Sequence, residues 1–163
     1  MIGERFRRDQ LGTAGAEMAL VMPFLMVLIF AGFEAGHFFW SEHKVIEGVR
    51  GGVRYASRLP MTSVCPSANS TTLGNIAQIT RTGKLDTTAT PLVSGWSNNN
   101  QVTVTITCGG YLSTGIYTTY GGNGATVTVA ANELYYPSLL NSLGLLTTSY
   151  KLNAWSSAAV IGI

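Results

Sequence analysis

The chain has 163 residues and a formal net charge of +2, and only 11% of its residues are charged whereas 46% are hydrophobic. Seven of the ten Lys and Arg residues and six of the eight Asp and Glu residues precede Leu59. The rest of the chain is rich in Thr, Ser, Asn and Gly, as many exported domains are. No basic cluster with interleaved aromatic residues is present, which argues against nucleic-acid binding.

A short leader and a long helix are predicted to occupy the first 58 residues. The leader, residues 1–12, is polar and contains three arginines. Residues 13–58 are predicted to form one helix of about 65–70 Å at ~1.5 Å rise per residue. That length exceeds what a small globular domain needs, so part of the helix is expected to lie in lipid.

The first half of this helix is predicted to cross a membrane. The run Met18–Phe33 contains no charged residue and is interrupted only by Pro23. Continued to the aromatic trio that ends at Trp40, it reaches the ~20 residues that a span needs and places aromatic rings at an interface. We predict a span over about residues 16–40. The alternatives are a soluble core helix and a cleaved secretory signal, and the acidic Glu17 directly before the apolar run argues against the signal.

The second half of the helix, about residues 41–58, is amphipathic. Its apolar positions recur at helical spacing, namely Val45, Val49, Val53 and Ala56. On other faces, Glu47 and Arg50 are expected to attract one another, and Arg50 and Arg54 to repel. Three glycines in this half would let another element approach closely.

Residues 59–163 are predicted to form a small exported α+β head. A short helix is expected between Pro66 and Gly83, started by Ser70 or Thr71. Three segments with alternating apolar and polar residues predict strands, namely Gln101–Cys108, Thr126–Ala130 and a last one around Tyr150–Ser156. Together they indicate one antiparallel sheet packed on the amphipathic half of the long helix.

The only two cysteines, Cys65 and Cys108, both lie in the predicted head. Two cysteines are too few for a zinc site by themselves, and no histidine lies near either in sequence. An exported domain favours a disulfide between them, and two unrelated buried thiols are the alternative.

The sequence contains no recognisable catalytic constellation. It lacks a Gly-rich phosphate loop, an H-E-x-x-H motif and a G-x-S-x-G motif. His37 and His43 are six residues apart, so they do not share a helical face as a metal pair would. Asp86 and Glu133 are isolated carboxylates. We therefore predict a non-enzymatic protein without a cofactor or metal.

The junction between leader and helix resembles the type IV prepilin processing site. Gly12 ends a short basic leader, Thr13 begins the helix, and Glu17 is the fifth residue after the glycine. The resemblance implies cleavage between Gly12 and Thr13 by a prepilin-type peptidase.

Three further motifs resemble the TadE-like minor pilins of the tight adherence (Tad) pilus system. They are Gly15–Leu25 (GAEMALVMPFL), Phe33–Gly36 (FEAG) and Val49–Ala56 (VRGGVRYA). The sequence departs from the family pattern at Met18, where an aromatic residue is usual, and at Gly51, where Glu is usual. The resemblance implies a pilin-like fold with a single-pass anchor and a role in pilus assembly and adhesion.

The resemblance also implies a location and partners. The span would lie in the bacterial inner membrane and the head in the periplasm or outside, in the envelope or within a pilus. Basic residues flank both ends of the span, so charge alone does not fix its orientation, and the expected disulfide and the Thr-rich head favour a cytoplasmic N-terminus. The partners would be other pilins and minor pilins, the inner-membrane assembly machinery, the prepilin peptidase and the lipid bilayer. A minor pseudopilin of a type II secretion system, a membrane-anchored binding module and an anchored enzyme are the alternatives.

Glu17 and Glu34 are the candidate assembly residues on the long helix. A carboxylate at the edge of hydrocarbon is costly and marks a functional site by default. After cleavage, the α-amino group of Thr13 would lie one helical turn from Glu17, so the two could pair within a chain or between chains. Glu34 lies about 25 Å further along the helix and cannot serve that amine in the same chain. The alternative is that Glu17 only complements the positive end of the helix.

Overall fold

The computed structural model describes residues 11–109, 124–145 and 149–162. Most of the predicted leader and of the connection between the first two strands lies outside the described residues. The chain divides into two units, residues 1–37 and residues 38–163.

Helix α1, Leu11–Ser57, has 47 residues and contains Pro23. It begins two residues before the predicted start and ends one residue before the predicted end. Its part within the first unit, from residue 13 onward, is almost entirely exposed, and only Glu34 and His37 are half-buried there. The prediction of one long helix is confirmed.

The part of α1 within the second unit supplies one side of a hydrophobic core. The four apolar positions of the predicted amphipathic half are at most 3% exposed, namely Val45, Val49, Val53 and Ala56. They belong to one cluster with the apolar side chains of the sheet. Spacing of three and four residues places these side chains on one face of the helix, which explains why they are buried together.

Within its described residues, the second unit has six further elements besides a 3-10 turn at Asn99–Gln101. They are α2 (Met61–Val64), α3 (Ser70–Thr82), β1 (Val102–Cys108), β2 (Ala125–Tyr135), α4 (Leu139–Ser142) and β3 (Lys151–Ala159). Helix α3 begins at Ser70 because the Asn69 side chain accepts a hydrogen bond from the Thr72 backbone N–H. It ends at Gly83, whose φ of 76° is the left-handed conformation that suits glycine. The predicted helix is confirmed, with Asn69 as its cap.

The three strands form one antiparallel sheet in the order β1-β2-β3. The register places Val104 beside Val129, and Val129 beside Ser156. Residues of this row face the core, whereas Thr103 and Thr105 point to the exposed face. This alternation is the pattern expected of an antiparallel sheet with one solvated face. The fold class, α+β with a long N-terminal helix, is confirmed.

Strand β2 is longer than the sequence predicts, and the prediction that it ends at Ala130 is wrong. A bulge between Ala131 and Leu134 inserts one extra residue and interrupts the alternation. Within the bulge Glu133 has a φ of 54°, and its backbone N–H donates to the Asn153 side chain at 2.7 Å. Beyond the bulge Leu134 returns to the buried face opposite Leu152.

The segment between α3 and β1 contributes to the core, although Pro91, Gly95 and three consecutive asparagines predict a loop over residues 86–100. Val93 and Trp96 lie in this segment and are 2% and 0% exposed. The segment has no regular helix or strand before Asn99, so the loop prediction holds for its backbone. Periodicity could not reveal the burial, because a loop presents its side chains with no fixed period.

Helices α1 and α3 approach closely at two glycines. A Cβ atom on Gly48 would collide with the Thr80 carbonyl oxygen, and one on Gly52 would collide with the Thr80 side chain. By contrast, a Cβ atom on Gly51 would meet nothing within 4 Å. Two of the three glycines therefore permit the close approach that the sequence predicts, and the third does not serve it.

We expect Gly48→Ala to destabilise the protein and Gly51→Ala to stabilise it. The added methyl group at position 48 would lie 3.0 Å from Leu92 Cδ1 and 3.1 Å from Trp96 Cζ3, besides the Thr80 carbonyl. Overpacking of this kind costs about 1–3 kcal/mol. The Gly51 change gains helix propensity, up to ~1 kcal/mol. Urea unfolding of the full chain in detergent measures both, and equal destabilisation by the two changes would contradict the close approach.

Candidate membrane anchor and assembly site

The apolar run of α1 exposes large side chains along its whole length. Among them Phe24, Leu28 and Phe33 are 68–70% exposed. Within the described residues, α1 is the one helix long and apolar enough to cross a membrane, and none of its most apolar stretch is buried. A core helix of a soluble protein would be mostly buried, so this alternative is not what the structure shows. The helix is consistent with a single-pass membrane anchor.

The predicted processing and assembly residues all lie on α1. Gly12 is its second residue, so the bond between Gly12 and Thr13 is inside the helix. Thr13 and Glu17 are both exposed and stand one turn apart. Glu34 is half-buried and 17 residues beyond Glu17, about 25 Å at ~1.5 Å rise per residue. The structure therefore brings Thr13 and Glu17 together and keeps Glu34 apart.

The aromatic trio expected at a membrane interface separates into two environments. Phe38 is half-buried, with its ring edge-on to Tyr136 at 5.2 Å and to Tyr150 at 6.4 Å between ring centroids. Phe39 and Trp40 are 64% and 52% exposed. Phe38 thus packs within the second unit, and of the three aromatic residues only Phe39 and Trp40 are exposed.

A disulfide joins Cys65 to Cys108, as the sequence predicts. Their Cα atoms are 6.0 Å apart, and 43 positions separate them in the sequence. Cys65 directly follows α2 and is packed against the core, whereas Cys108 is the exposed last residue of β1. The bridge therefore fastens the segment after α1 to the end of an edge strand.

The charges on the second half of α1 pair differently from the prediction. Glu47 accepts a hydrogen bond from Lys44 at 2.9 Å, and within the described part of the chain it forms no ion pair with Arg50. The Lys44 ammonium holds the pKa of the Glu47 carboxyl below its ordinary value, first through this hydrogen bond and then through its charge. The predicted attraction between Glu47 and Arg50 does not lead to an ion pair, because the Glu47 carboxylate binds Lys44 instead. Among the described residues, the guanidinium groups of Arg50 and Arg54 have neither a hydrogen bond nor an ion pair.

A groove lies beside these arginines and has a volume of about 390 Å³. Helix α1 lines it with His43, Ile46, Arg50 and Arg54, among others, and α3 and the segment after it line the opposite side. The sequence indicated the charges on this face. It did not indicate the groove, because the opposite wall comes from residues 25 or more positions away.

Two other carboxylates of the second unit, those of Asp86 and Glu133, are engaged locally. Asp86 accepts hydrogen bonds from the backbone N–H and the hydroxyl of Thr88, and these lower the pKa of its carboxyl. Glu133 accepts from Lys151 at 3.0 Å, which raises the pKa of that ammonium. Over residues 11–109, 124–145 and 149–162, no three His, Cys, Asp or Glu side chains are grouped so that they could hold a metal ion.

Comparison with known proteins identifies the first part of the chain. Residues 12–54 match the family model described as TadE-like protein, about a quarter of the sequence. The match contains the first two motifs that resemble TadE-like proteins and Val49–Arg54 of the third, so that resemblance is confirmed. It indicates a component associated with the Tad pilus system, whose family is structural. No curated protein and no solved structure matches the chain.

We expect both cysteines to resist alkylation in the native protein until a reductant is added. Closing a loop of this length stabilises by up to ~4 kcal/mol in the chain-entropy model. The Cys65→Ser/Cys108→Ser double variant should therefore unfold at lower urea than the oxidised wild type. A non-reducing digest followed by mass spectrometry identifies the linked peptides, and free alkylation of both native thiols would contradict the bridge. The reduced wild type is the matched control, and it should unfold like the double variant.

Proposed function

Because residues 12–54 are TadE-like, we propose that this protein is a minor pilin or pseudopilin, a membrane-anchored assembly component of a Tad-type pilus. The observation that carries the proposal is the coincidence of that match with α1. The matched segment contains both the exposed apolar run and the residues that build one side of the core. A protein that anchors in lipid through one half of a helix and presents a folded domain on the other half suits a pilus subunit.

The disulfide and the leader support an orientation. Disulfides persist in oxidising compartments, and in bacteria the periplasm and the exterior are such compartments. The three arginines of the leader favour the cytoplasmic side for the N-terminus. We therefore place residues 59–163 outside the inner membrane and residues 1–12 inside it. The arginines that follow the span do not argue against this orientation, because long exported domains cross the membrane largely regardless of their charge.

In this proposal, processing creates the group that Glu17 recognises. Cleavage after Gly12 gives Thr13 an α-amino group that is cationic near neutral pH, with a usual pKa of ~8. Glu17 is exposed one turn away, so its carboxylate can meet that amine in its own chain or in a neighbouring one. A pairing between chains would set the register of one anchor helix against the next. It would also offset the cost of a carboxylate at the edge of the hydrocarbon.

Blocking the cleavage tests the processing step. We expect the wild-type protein from cells to begin at Thr13, and Gly12→Leu to keep the full leader, because a bulky residue replaces the glycine at the cleaved bond. Gly15→Leu is the matched control, since Gly15 lies in open space on the same helix and should leave cleavage intact. Intact-mass spectrometry distinguishes the products. A wild-type protein that retains Met1, or that begins near Gly36, would show the proposed processing to be wrong.

Removing the Glu17 carboxylate tests the pairing. We expect Glu17→Gln to insert and be cleaved normally, yet to be recovered with the pilus or its inner-membrane machinery at clearly reduced levels. Glu42→Gln removes a carboxylate from the same helix without touching the Thr13–Glu17 turn, so it controls for a general loss of charge. Co-purification from membranes measures incorporation. If Glu17→Gln is incorporated at the wild-type level, the pairing role is excluded, and the function of Glu17 is only to complement the positive end of the helix.

Deleting the gene separates the pilus role from its nearest alternative. We expect the deletion strain to lose or shorten its Tad pili while its secreted enzymes remain at normal levels, and a plasmid copy to restore the pili. Electron microscopy counts the pili and assays of the culture supernatant follow secretion. Normal pili together with lost secretion would instead indicate a pseudopilin of a type II secretion system.

A further inference from the structure

We propose that the groove between α1 and α3 is a docking site for an acidic helix of another protein. The groove has an apolar floor and a basic rim. Ile46, Ile79 and Leu92 are half-buried within it, and Arg50 and Arg54 are exposed along one side. This inference concerns the second unit alone, and it depends neither on cleavage of the leader nor on Glu17.

The two arginines carry charge that the described part of the chain does not compensate. They stand one turn apart on α1, a spacing at which like charges repel and destabilise a helix. The nearest carboxylate on the groove, that of Glu47, is occupied by Lys44 at 2.9 Å. A partner that supplies carboxylates would remove this repulsion and gain two charge-assisted hydrogen bonds.

The geometry of the rim selects the partner's chemistry. Side chains one turn apart on a helix have Cβ atoms ~5–6 Å apart, so two carboxylates three or four residues apart on a facing helix match Arg50 and Arg54. The guanidinium group holds a carboxylate through two parallel hydrogen bonds, which fixes orientation as well as charge. An apolar residue on the same face of the partner would rest on Ile46, Ile79 and Leu92, as in other helix-in-groove complexes.

Gly51 makes the approach possible. It lines the groove between the two arginines, and a Cβ atom placed on it would meet nothing within 4 Å. Unlike Gly48 and Gly52, it is not needed for packing α1 against α3. A glycine at this point leaves the backbone of α1 accessible to a second helix, which a long side chain would obstruct.

A second copy of this chain does not fit the rim. No two Asp or Glu residues in the sequence are three or four positions apart. Of the four carboxylates in the second unit, Glu47 and Glu133 are held by lysines and Asp86 is held by Thr88, while Glu42 has no second acid within four positions. The chain therefore lacks the paired acids that the groove would bind, and the occupant is a protein with a different sequence.

Photo-crosslinking in cells tests the proposal with the full chain. A benzophenone amino acid is introduced at position 43, because His43 is exposed and lines the groove. We expect one main protein adduct, whose crosslinked peptide carries two acids three or four residues apart. The same probe at position 105, on the exposed face of the sheet, is the control for a site outside the groove. Sequencing of the adduct by mass spectrometry identifies the peptide.

Charge variants then ask whether the adduct depends on the arginines. We expect Arg50→Gln/Arg54→Gln to lower the yield about tenfold, the loss of two exposed charge pairs, with no decrease in the urea midpoint because the repulsion between the arginines is also removed. Lys44→Met leaves both arginines in place but frees Glu47 to neutralise Arg50, and should lower the yield about threefold. Arg50→Glu/Arg54→Glu should abolish the adduct, and Lys at the two acidic positions of the partner should restore it.

Three results would overturn the proposal. The first is an adduct yield that the glutamine double variant leaves unchanged. The second is an adduct with phospholipid or with a second copy of this chain as the main product. The third is the absence of any adduct at position 43 that position 105 does not also give. Loss of pili in the deletion strain would stand in each case, so failure here is distinguishable from failure of the pilus role.

Discussion

The close packing of α1 against α3 is the constraint on which the second unit depends. A three-stranded sheet has one face to bury, and a sheet of this size needs a helix to cover it. Helix α1 supplies that cover through its buried valines, and it can reach α3 only because Gly48 and Gly52 have no side chains where Thr80 lies. Trp96 then fills the space beside Gly48 and is completely buried. The glycines lower helix propensity by roughly 1 kcal/mol each, and the packing that they permit offsets this cost.

Helix α1 meets two different physical demands along its length. From Met18 to Phe33 it has no charged residue and exposes many large apolar side chains, whose contact with water would be unfavourable. From residue 41 onward one face is apolar and buried while the opposite side is charged. Both patterns lie within residues 12–54, the segment that the family model matches. The family resemblance therefore describes the anchor and its extension, and it does not describe the sheet.

The rest of the second unit is held by few but distinct interactions. The disulfide fastens the segment after α2 to the end of β1, and the bulge in β2 lets Leu134 rejoin the core after two polar residues. The exposed face of the sheet is lined with threonines on β1 and β2, whose branched side chains favour strands and tolerate water. On α1 the Glu47 carboxylate binds Lys44, and among the described residues no ion pair involves Arg50 or Arg54.

The sequence by itself determined the features that depend on local periodicity or on counting. The long helix, its buried face, the alternating strands and the bond between Cys65 and Cys108 follow from spacing and from there being only two cysteines. Only the tertiary structure decided the features that join distant segments. These are the burial of Trp96 in a loop, the extension of β2 to Tyr135, the partner of Glu47 and the groove between α1 and α3. Most of these features depend on which segments lie side by side, and no local pattern encodes that because the contacts join residues far apart in the chain. The partner of Glu47 is a different case, because Lys44 and Arg50 are each three residues from it and spacing alone does not distinguish them.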